Sequence, residues 1–228
     1  MILYGARGHA KVVYDLILSN NHLLEYLVDD QPHDEFPHRL NIYKPTRELI
    51  EDKKVIIAIG DNHIREKIYH QIKDWCEFET IHHTSAFVSR FSEVGEGTVI
   101  MPQVCINADV KIGHHCIINT ASTIEHDCVI EDFVHISPKA SLAGNITVKK
   151  GAHIGLGANI IQGVTVGENA LIGAGTVVLR DVPPNAIVVG NPGRIIKMKE
   201  ERAAIYNLAF LASHGQRRDE IYPGGVFG

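Results

Sequence analysis

The stretch VKKGAHIGLGANIIQGVTVGENALIGAGTVV, residues 148–178, places an aliphatic residue at every sixth position: Val148, Ile154, Ile160, Val166, Ile172 and Val178. Read backwards, the same beat holds at Leu142, Ile136, Ile130, Ile124, Ile118, Ile112, Ile106, Ile100, Val94 and Val88, which makes sixteen positions without an insertion. With 45% of the chain hydrophobic, chance does not produce such a run. A helix repeats its apolar face every 3.6 residues and a strand every 2. A period of six fits a short strand plus a tight turn, repeated, which is the mark of a stacked solenoid. Three units close one triangular coil, so residues i and i+18 lie one above the other. Four residues after each aliphatic position the side chain is again small or apolar (Thr98, Val104, Val110, Cys116, Ser122, Cys128, Val134, Ala140), as a second inward position near a corner requires. Gly95, Asn107, Asp109, Gly113, Asn119, Gly155, Gly157, Gly167 and Gly173 crowd the turns, where positive φ is expected. The reading is an all-β parallel β-helix of about five coils.

Ahead of the repeat, residues 1–80 alternate strand and helix patterns. Ile2-Leu3-Tyr4 reads as a buried strand, Gly5-Ala6-Arg7-Gly8-His9 as a glycine turn, and the next segment as a helix with Val12, Val13, Leu16 and Ile17 on one face. Leu24 to Val28 reads as a second strand ending at Asp29-Asp30. Val55 to Ile59 is a continuous apolar run, as a central parallel strand shows, ending at Gly60-Asp61-Asn62 before a helix through Ile64, Ile68 and Ile72. This is a Rossmann-like α/β unit, βαβαβ, and such sheets bind ligands at the carboxyl ends of their strands. Those ends carry Gly8, Asp29, Asp30 and Gly60. The glycine turn lacks the full GxGxxG pattern, so locally a bare strand-to-helix turn explains it equally well. Behind the repeat, Arg194 to Ser213 reads as an amphipathic helix. The organisation expected is 1–80, 81–192 and 193–228.

Composition narrows the function classes. A net charge of −5 leaves no footprint for nucleic acid, and no apolar run reaches the length of a membrane span. The chain begins Met1-Ile2-Leu3-Tyr4 with no leader pattern, so a soluble, cytoplasmic protein is expected. Four cysteines form no CxxC; Cys116 and Cys128 fall on inward positions and read as core thiols.

The recurrent Ile112-Gly113, Ile154-Gly155, Val166-Gly167 and Ile172-Gly173 pattern, with Val188-Val189-Gly190-Asn191-Pro192-Gly193-Arg194 closing it, resembles the hexapeptide-repeat acyltransferases. That resemblance implies a left-handed prism, against the usual crossover rule, and a homotrimer with active sites between neighbouring prisms. Gly5 to Val13, Val28-Asp29-Asp30 and Ala58 to Arg65 resemble one subfamily more narrowly. It comprises the bacterial nucleotide-sugar acetyltransferases that modify 4-amino-4,6-dideoxy sugars, with their sialic acid O-acetyltransferase relatives. By that likeness Arg7, Gly8, His9, Asp29, Asp30 and Gly60 are substrate-site candidates, although Arg7 departs from the small residue common there.

Acyl transfer from a thioester to an amine needs a base for the nucleophile's proton and a donor for the oxyanion. Of fourteen histidines, the repeat holds His114, His115, His126, His135 and His153. The segment Ile118 to Cys128 is similar to the subfamily's active-site stretch, which implies His126 as general base and Asp127 as the acidic partner that raises its basicity. Phe133 to Pro138 and Leu142-Ala143-Gly144 match next, implying contact of His135 and Gly144 with acetyl-CoA, with Leu156 and Ala174 as further cofactor contacts. His153, eighteen residues after His135, is expected to stack on it. The resemblance therefore implies N-acetylation of a nucleotide-linked amino sugar from acetyl-CoA with no metal; O-acetylation of sialic acid or another polysaccharide sugar is the alternative. A γ-class carbonic anhydrase zinc site needs two histidines five apart, a spacing absent from these five.

Overall fold

The computed structural model describes residues 1–33, 36 and 40–199. The N-terminal strands β1 (Ile2–Tyr4), β2 (Leu27–Val28), β3 (Ile42–Tyr43), β4 (Lys54–Ile57) and β5 (Glu77–Phe78) form one parallel sheet in the order β3-β2-β1-β4-β5. The central strands β1 and β4 are buried along Ile2 to Tyr4 and Val55 to Ile57, where apolar side chains face both layers, and only Lys54 at the start of β4 is exposed. Helix α1 (Gly8–Ser19) follows β1 and buries Ala10, Val13, Leu16 and Ile17, whereas Val12, expected on that face, is 42% exposed. A short helix, α2 (Arg47–Ile50), precedes β4. Helix α3 (Asn62–Ile72) is capped at its start by Asp61, whose carboxylate accepts from Ile64 N. It buries Ile68 and Ile72, but the third inward place belongs to Arg65 (1% exposed) and not to Ile64 (47%). The sequence reading did not assign β3, β5 or α2, which are too short to show a period.

From Ile81 onward the chain is a parallel β-helix of two-residue strands on three faces. The first face stacks Ile81–His82, Val99–Ile100, Ile117–Ile118, His135–Ile136, His153–Ile154 and Leu171–Ile172 beneath Ala186–Val189. The second carries Phe87–Val88 through Val177–Val178, and the third Glu93–Val94 through Thr165–Val166. Pairing is i with i+18, as in Cys105 with Thr123 and Ile106 with Ile124. The hexad positions fill the interior: Ile106, Ile118, Ile124, Ile136, Val148, Ile154, Val166 and Ile172 have no exposed surface, and the second inward residues Val110, Cys116, Cys128, Val134 and Ala140 are equally covered.

Each corner is turned by one residue with positive φ, at every sixth position from Gly97 to Gly175. Most of them carry a side chain, including Ala121, Asp127 and Phe133, although such residues cost about 1–2 kcal/mol in this region. The offset is local: the corner N–H donates to the coil before it, as Asp127 N does to Ala108 O (3.1 Å) and Phe133 N to His114 O (2.9 Å). Asp109 and Gly157 hold the expected positive φ. Gly95, Gly113, Gly155, Gly167 and Gly173 do not, and a different constraint selects them: a Cβ there meets the neighbouring coil. At Gly155 it lies 2.8 Å from the Gly173 carbonyl carbon and 2.9 Å from Ala174 N.

Two other expectations are corrected. The stack runs beyond five coils, because strands before Val88 and after Val178 join the first face, which reaches eight strands. Arg194–Met198, expected to open a helix, is instead a strand antiparallel to Ala186–Val189. The β-branched Ile195-Ile196 suits an edge strand, and the pairing satisfies the backbone of Ala186–Val189. The rest of the expected helix, and the tail to Gly228, lie outside the described residues. Gly155→Ala is expected to lower the thermal midpoint by several degrees, since backbone cannot yield to the added methyl. Gly157→Asn, at a corner with open space around it, is expected to cost much less; thermal denaturation of both variants checks this.

Candidate functional site

His126 stands on the corner between Thr123–Ile124 of the second face and Val129–Ile130 of the third. Adjacent residues on a strand face opposite ways, but the positive φ of Asp127 (61°) brings its carboxylate round to the ring, with His126 Nδ1 to Asp127 Oδ2 at 2.7 Å. The imidazole pKa is raised, first by the hydrogen bond to Asp127 and then by the charges of Asp127 and Glu125. Glu125 is held by Asn107 one coil earlier, whose Nδ2 donates to it at 2.7 Å. One coil later Gly144 roofs the ring: a Cβ on it comes to 2.7 Å from His126 Cε1. The corner therefore presents an exposed Nε2, oriented by a carboxylate at Nδ1, which is how a general base is arranged.

The N-terminal candidates lie beyond β1, β2 and β4. Gly5 (φ 109°) lets the chain turn against Ala58 O. Asp29 is buried, and both its oxygens are engaged, by Ala6 N (2.9 Å) and Gln31 N (2.8 Å). It therefore shapes the glycine loop. Asp30 accepts from Tyr4 Oη (3.0 Å), and burial first, then the Asp30 charge and this hydrogen bond, raise the Tyr4 pKa. Arg7 and Gly8 are exposed at the start of α1, whose N-cap has no side-chain hydrogen bond and whose first turn has no acidic residue. Such a terminus favours anions.

His9 and Gly60 converge on His135 of the first face. The His9 and His135 rings are 6.4 Å apart, and His135 Nδ1 lies 3.3 Å from Gly60 O. His153 stacks on His135 at 4.5 Å and 16°, and its Nε2 meets Ser137 Oγ at 2.8 Å. Burial lowers the pKa of His135 to about 2 and of His9 to about 4, aided in both by the nearby Arg65 charge, so both rings are neutral. Leu156 (56% exposed) and Ala174 stack on a third corner above Pro138, where Gly175 N donates to Leu156 O (2.8 Å) and Gly157 N to Pro138 O (2.9 Å).

One chain thus brings together two groups and keeps them apart. Gly60, His9 and His135 meet on the first face, where the N-terminal sheet sits. His126, Asp127 and Gly144 occupy the corner between the other two faces, on the far side of the prism. Sequence reasoning passed over Asn119, Ser137 and Arg65. The i+16 spacing of Asn119 to His135 and of Ser137 to His153 was readable once the coil length was known, because it sets each polar residue two positions along from the residue that pairs with its histidine in the coil before. No group of three or more metal-ligating residues is gathered among the described residues, and no helix among them is long and apolar enough to cross a membrane.

A hexad-repeat prism with an exposed imidazole–carboxylate corner, joined to a parallel sheet with a glycine loop, defines the hexapeptide-repeat acyltransferase class. The family profile described as the PglD N-terminal domain matches residues 1–72. The crystal structure of PerB from Caulobacter crescentus in complex with CoA and GDP-perosamine is 34% identical, covers 86% of this chain and 96% of that one, and superposes with a TM-score of 0.81. Among curated relatives, a GDP-perosamine N-acetyltransferase of Escherichia coli O157:H7 is 36% identical over 94 residues, 41% of this chain and 42% of the relative. A UDP-N-acetylbacillosamine N-acetyltransferase of Bacillus subtilis is 39% identical over 109 residues, 43% of this chain. The chain spans half or less of the length of these two curated relatives. It belongs to the family of hexapeptide-repeat sugar N-acetyltransferases.

Gly144→Ala is expected to displace the His126 ring while leaving the prism intact, because the added methyl meets a side chain and not backbone. The expected outcome is an unchanged melting temperature and a loss of thioester turnover of about 100-fold, the scale of a 1 Å misplacement. Circular dichroism and a free-thiol assay read the two effects separately.

Proposed function

We propose that this chain transfers the acetyl group of acetyl-CoA to the 4-amino group of a nucleotide-linked dideoxy amino sugar. The observation that carries the reading is the His126–Asp127 pair, 2.7 Å apart on an exposed corner beneath Gly144. The ligands of the PerB crystal structure, CoA and GDP-perosamine, support the two substrates. In this reading the molecule divides at 1–80, 81–192 and 193–228, the prism winds left-handed, and the protein works in the cytoplasm.

The nucleotide-sugar lies beyond the carboxyl ends of β1, β2 and β4. Arg7, Gly8 and the uncapped start of α1 face its phosphates, and His9, Asp30 and Gly60 line the crevice, with Asp29 fixing the loop from behind. Acetyl-CoA runs along the uncharged column of Leu156 and Ala174, with its thioester near His135 and Gly144. His126 Nε2 takes a proton from the amine as nitrogen attacks the thioester carbonyl. The C–N bond forms, the tetrahedral oxyanion collapses, the C–S bond breaks, and the CoA thiolate leaves and is protonated. Asp127 stabilises the imidazolium that His126 becomes. Because His126 and His135 stand on opposite sides of one prism, the site is complete only where the corner of one copy meets the first face of the next. This supports the homotrimer.

A panel of UDP-, GDP- and dTDP-linked 4-amino sugars with acetyl-CoA, followed by thiol release, tests the proposal. His126→Ala is expected to lose about 10²–10⁴-fold in kcat, the usual contribution of a general base. Turnover of no amino sugar, or full activity in the alanine variant, defeats the reading; turnover of free sialic acid alone replaces it with O-acetylation. The pH profile gives a second test. The base acts when deprotonated, so activity falls as pH drops through the His126 pKa, which Asp127 holds above its ordinary value. Asp127→Asn removes that support, and the acid limb of kcat/KM is expected to move to lower pH with a reduced plateau.

A further inference from the structure

We propose that Arg65 is a positioning residue for this transfer: its buried guanidinium clamps the Gly60 turn to two corners of the β-helix and so aims the Gly60 carbonyl at the Nδ1–H of His135. The inference rests on the transferase reading only for its kinetic consequence.

Arg65 is 1% exposed, and every N–H of its guanidinium has an acceptor. Nε donates to His115 O (2.8 Å) and Nη2 to Phe133 O (2.9 Å), the backbone oxygens of stacked corners in two successive coils. Nη1 donates to Ile59 O (2.9 Å) and Gly60 O (3.4 Å), and Nη2 also to Asn62 Oδ1 (2.7 Å). Asn62 extends the clamp, its Nδ2 reaching Gly151 O (3.0 Å) and Ala152 O (3.1 Å) on the next coil. No carboxylate pairs with Arg65 among the described residues: Asp61 caps α3, and Glu66 pairs with Lys150 (2.6 Å). An unpaired buried cation is costly unless hydrogen bonds fully replace its hydration. Here they do so only when the turn after β4 sits against these particular corners. The guanidinium thus fixes one docking of the sheet on the prism, with a planar fork that lysine cannot imitate.

The Gly60 carbonyl, which Arg65 holds, is the oxygen that faces His135 Nδ1 at 3.3 Å. On the other side of the ring, Asn119 Nδ2 lies 3.1 Å from Nε2. The orientation of that amide is set because Asn119 Oδ1 accepts from Thr120 N at 2.8 Å. An NH₂ facing Nε2 makes Nε2 the acceptor, so Nδ1 carries the hydrogen and donates it to Gly60 O. Both nitrogens are therefore committed, and His135 meets the cofactor as a neutral ring in one orientation. The Arg65 charge reinforces this state, since it disfavours a second positive charge on His135, His9 and His153.

The test compares wild type with Arg65→Lys and Asn119→Asp in the full chain. Lysine keeps the charge but cannot reach both corners; aspartate leaves Arg65 untouched but demands a hydrogen on Nε2. The ¹⁵N shifts of the His135 ring report the tautomer without any turnover, so they stand even if the acceptor sugar is misassigned. Expected are an Nδ1–H hydrogen-bonded to Gly60 O in wild type, loss of that hydrogen bond in Arg65→Lys, a protonated Nε2 in Asn119→Asp, and a kcat about 100-fold lower in each, with folding retained by circular dichroism. If Arg65→Lys does not fold, Asn62→Ala, which removes one guanidinium acceptor and the contacts to Gly151 and Ala152, is expected to weaken the same hydrogen bond and lower kcat in the same direction. An unchanged Nδ1–H hydrogen bond in a folded Arg65→Lys, or its loss with full kcat, would falsify the assignment.

Discussion

The structure depends on turning three corners in eighteen residues with one residue of positive φ at each. That constraint forces every coil into register with the one before, so side chains spaced by eighteen form columns along the prism axis, about 4.8 Å apart. The columns supply both stability and chemistry. Lys149 pairs with Glu131 at 2.8 Å, Asn107 holds Glu125, and Gly144 overlies His126, each across one coil. The strain of the corners is spread over the whole stack and offset, at every corner from His115 to Gly175, by a hydrogen bond from the corner N–H to the coil below. A functional residue placed on a corner inherits this rigidity. His126 needs no support beyond Asp127 and its column neighbours to hold its direction.

The N-terminal sheet attaches to this rod through groups that are unusual for a domain contact. Beside the Arg65 clamp, His115 is fully buried on its corner and stacks on Phe133 at 5.4 Å and 8°, with Tyr69 and Phe78 closing the box at 4.6 and 4.5 Å. Neither ring nitrogen of His115 has a hydrogen-bond partner among the described residues. Burial and the Arg65 charge lower its pKa to about 3, and it packs as an aromatic ring. Gly97 beneath it leaves the room this needs, since a Cβ there overlaps the imidazole. A buried cation and a neutral histidine thus form one contact, with a guanidinium satisfied by carbonyls and a ring shielded by aromatics.

The solenoid was legible because its period is a property of sequence alone. Sixteen aliphatic positions admit no other stacking, and the small second position named the buried Cys116 and Cys128. Legibility ended where long-range contact overrode local pattern. Ile64 looked like the inward residue of α3, but the prism offered carbonyls instead of an apolar wall, and Arg65 took the place. Ile195 and Ile196 looked helical beside their neighbours until an unpaired strand edge recruited them. Glycines following an aliphatic residue looked like φ > 0 sites, whereas lateral crowding by the next coil is what excludes a side chain. Gly60 and His135, 75 residues apart, meet through the docking of two domains, which no period encodes.

The two histidines that matter most show how one scaffold makes opposite groups from one residue type. His126 stands in water beside a carboxylate, and its charged form is favoured; His135 lies under a domain, beside a buried cation and a stacked imidazole, and its charged form is excluded. Pairs of titratable groups pushed apart in this way mark where proton transfer is divided between roles. In the proposed transfer, proton uptake belongs at the corner, because a base must exchange its proton with solvent after each turnover. Orientation belongs at the docked face, because a ring with both nitrogens bonded cannot drift or titrate across the working pH range. The prism keeps these environments apart within a chain, since a corner cannot be buried by the domain that covers the opposite face. In the proposed transfer, joining them calls for the surface of a second copy.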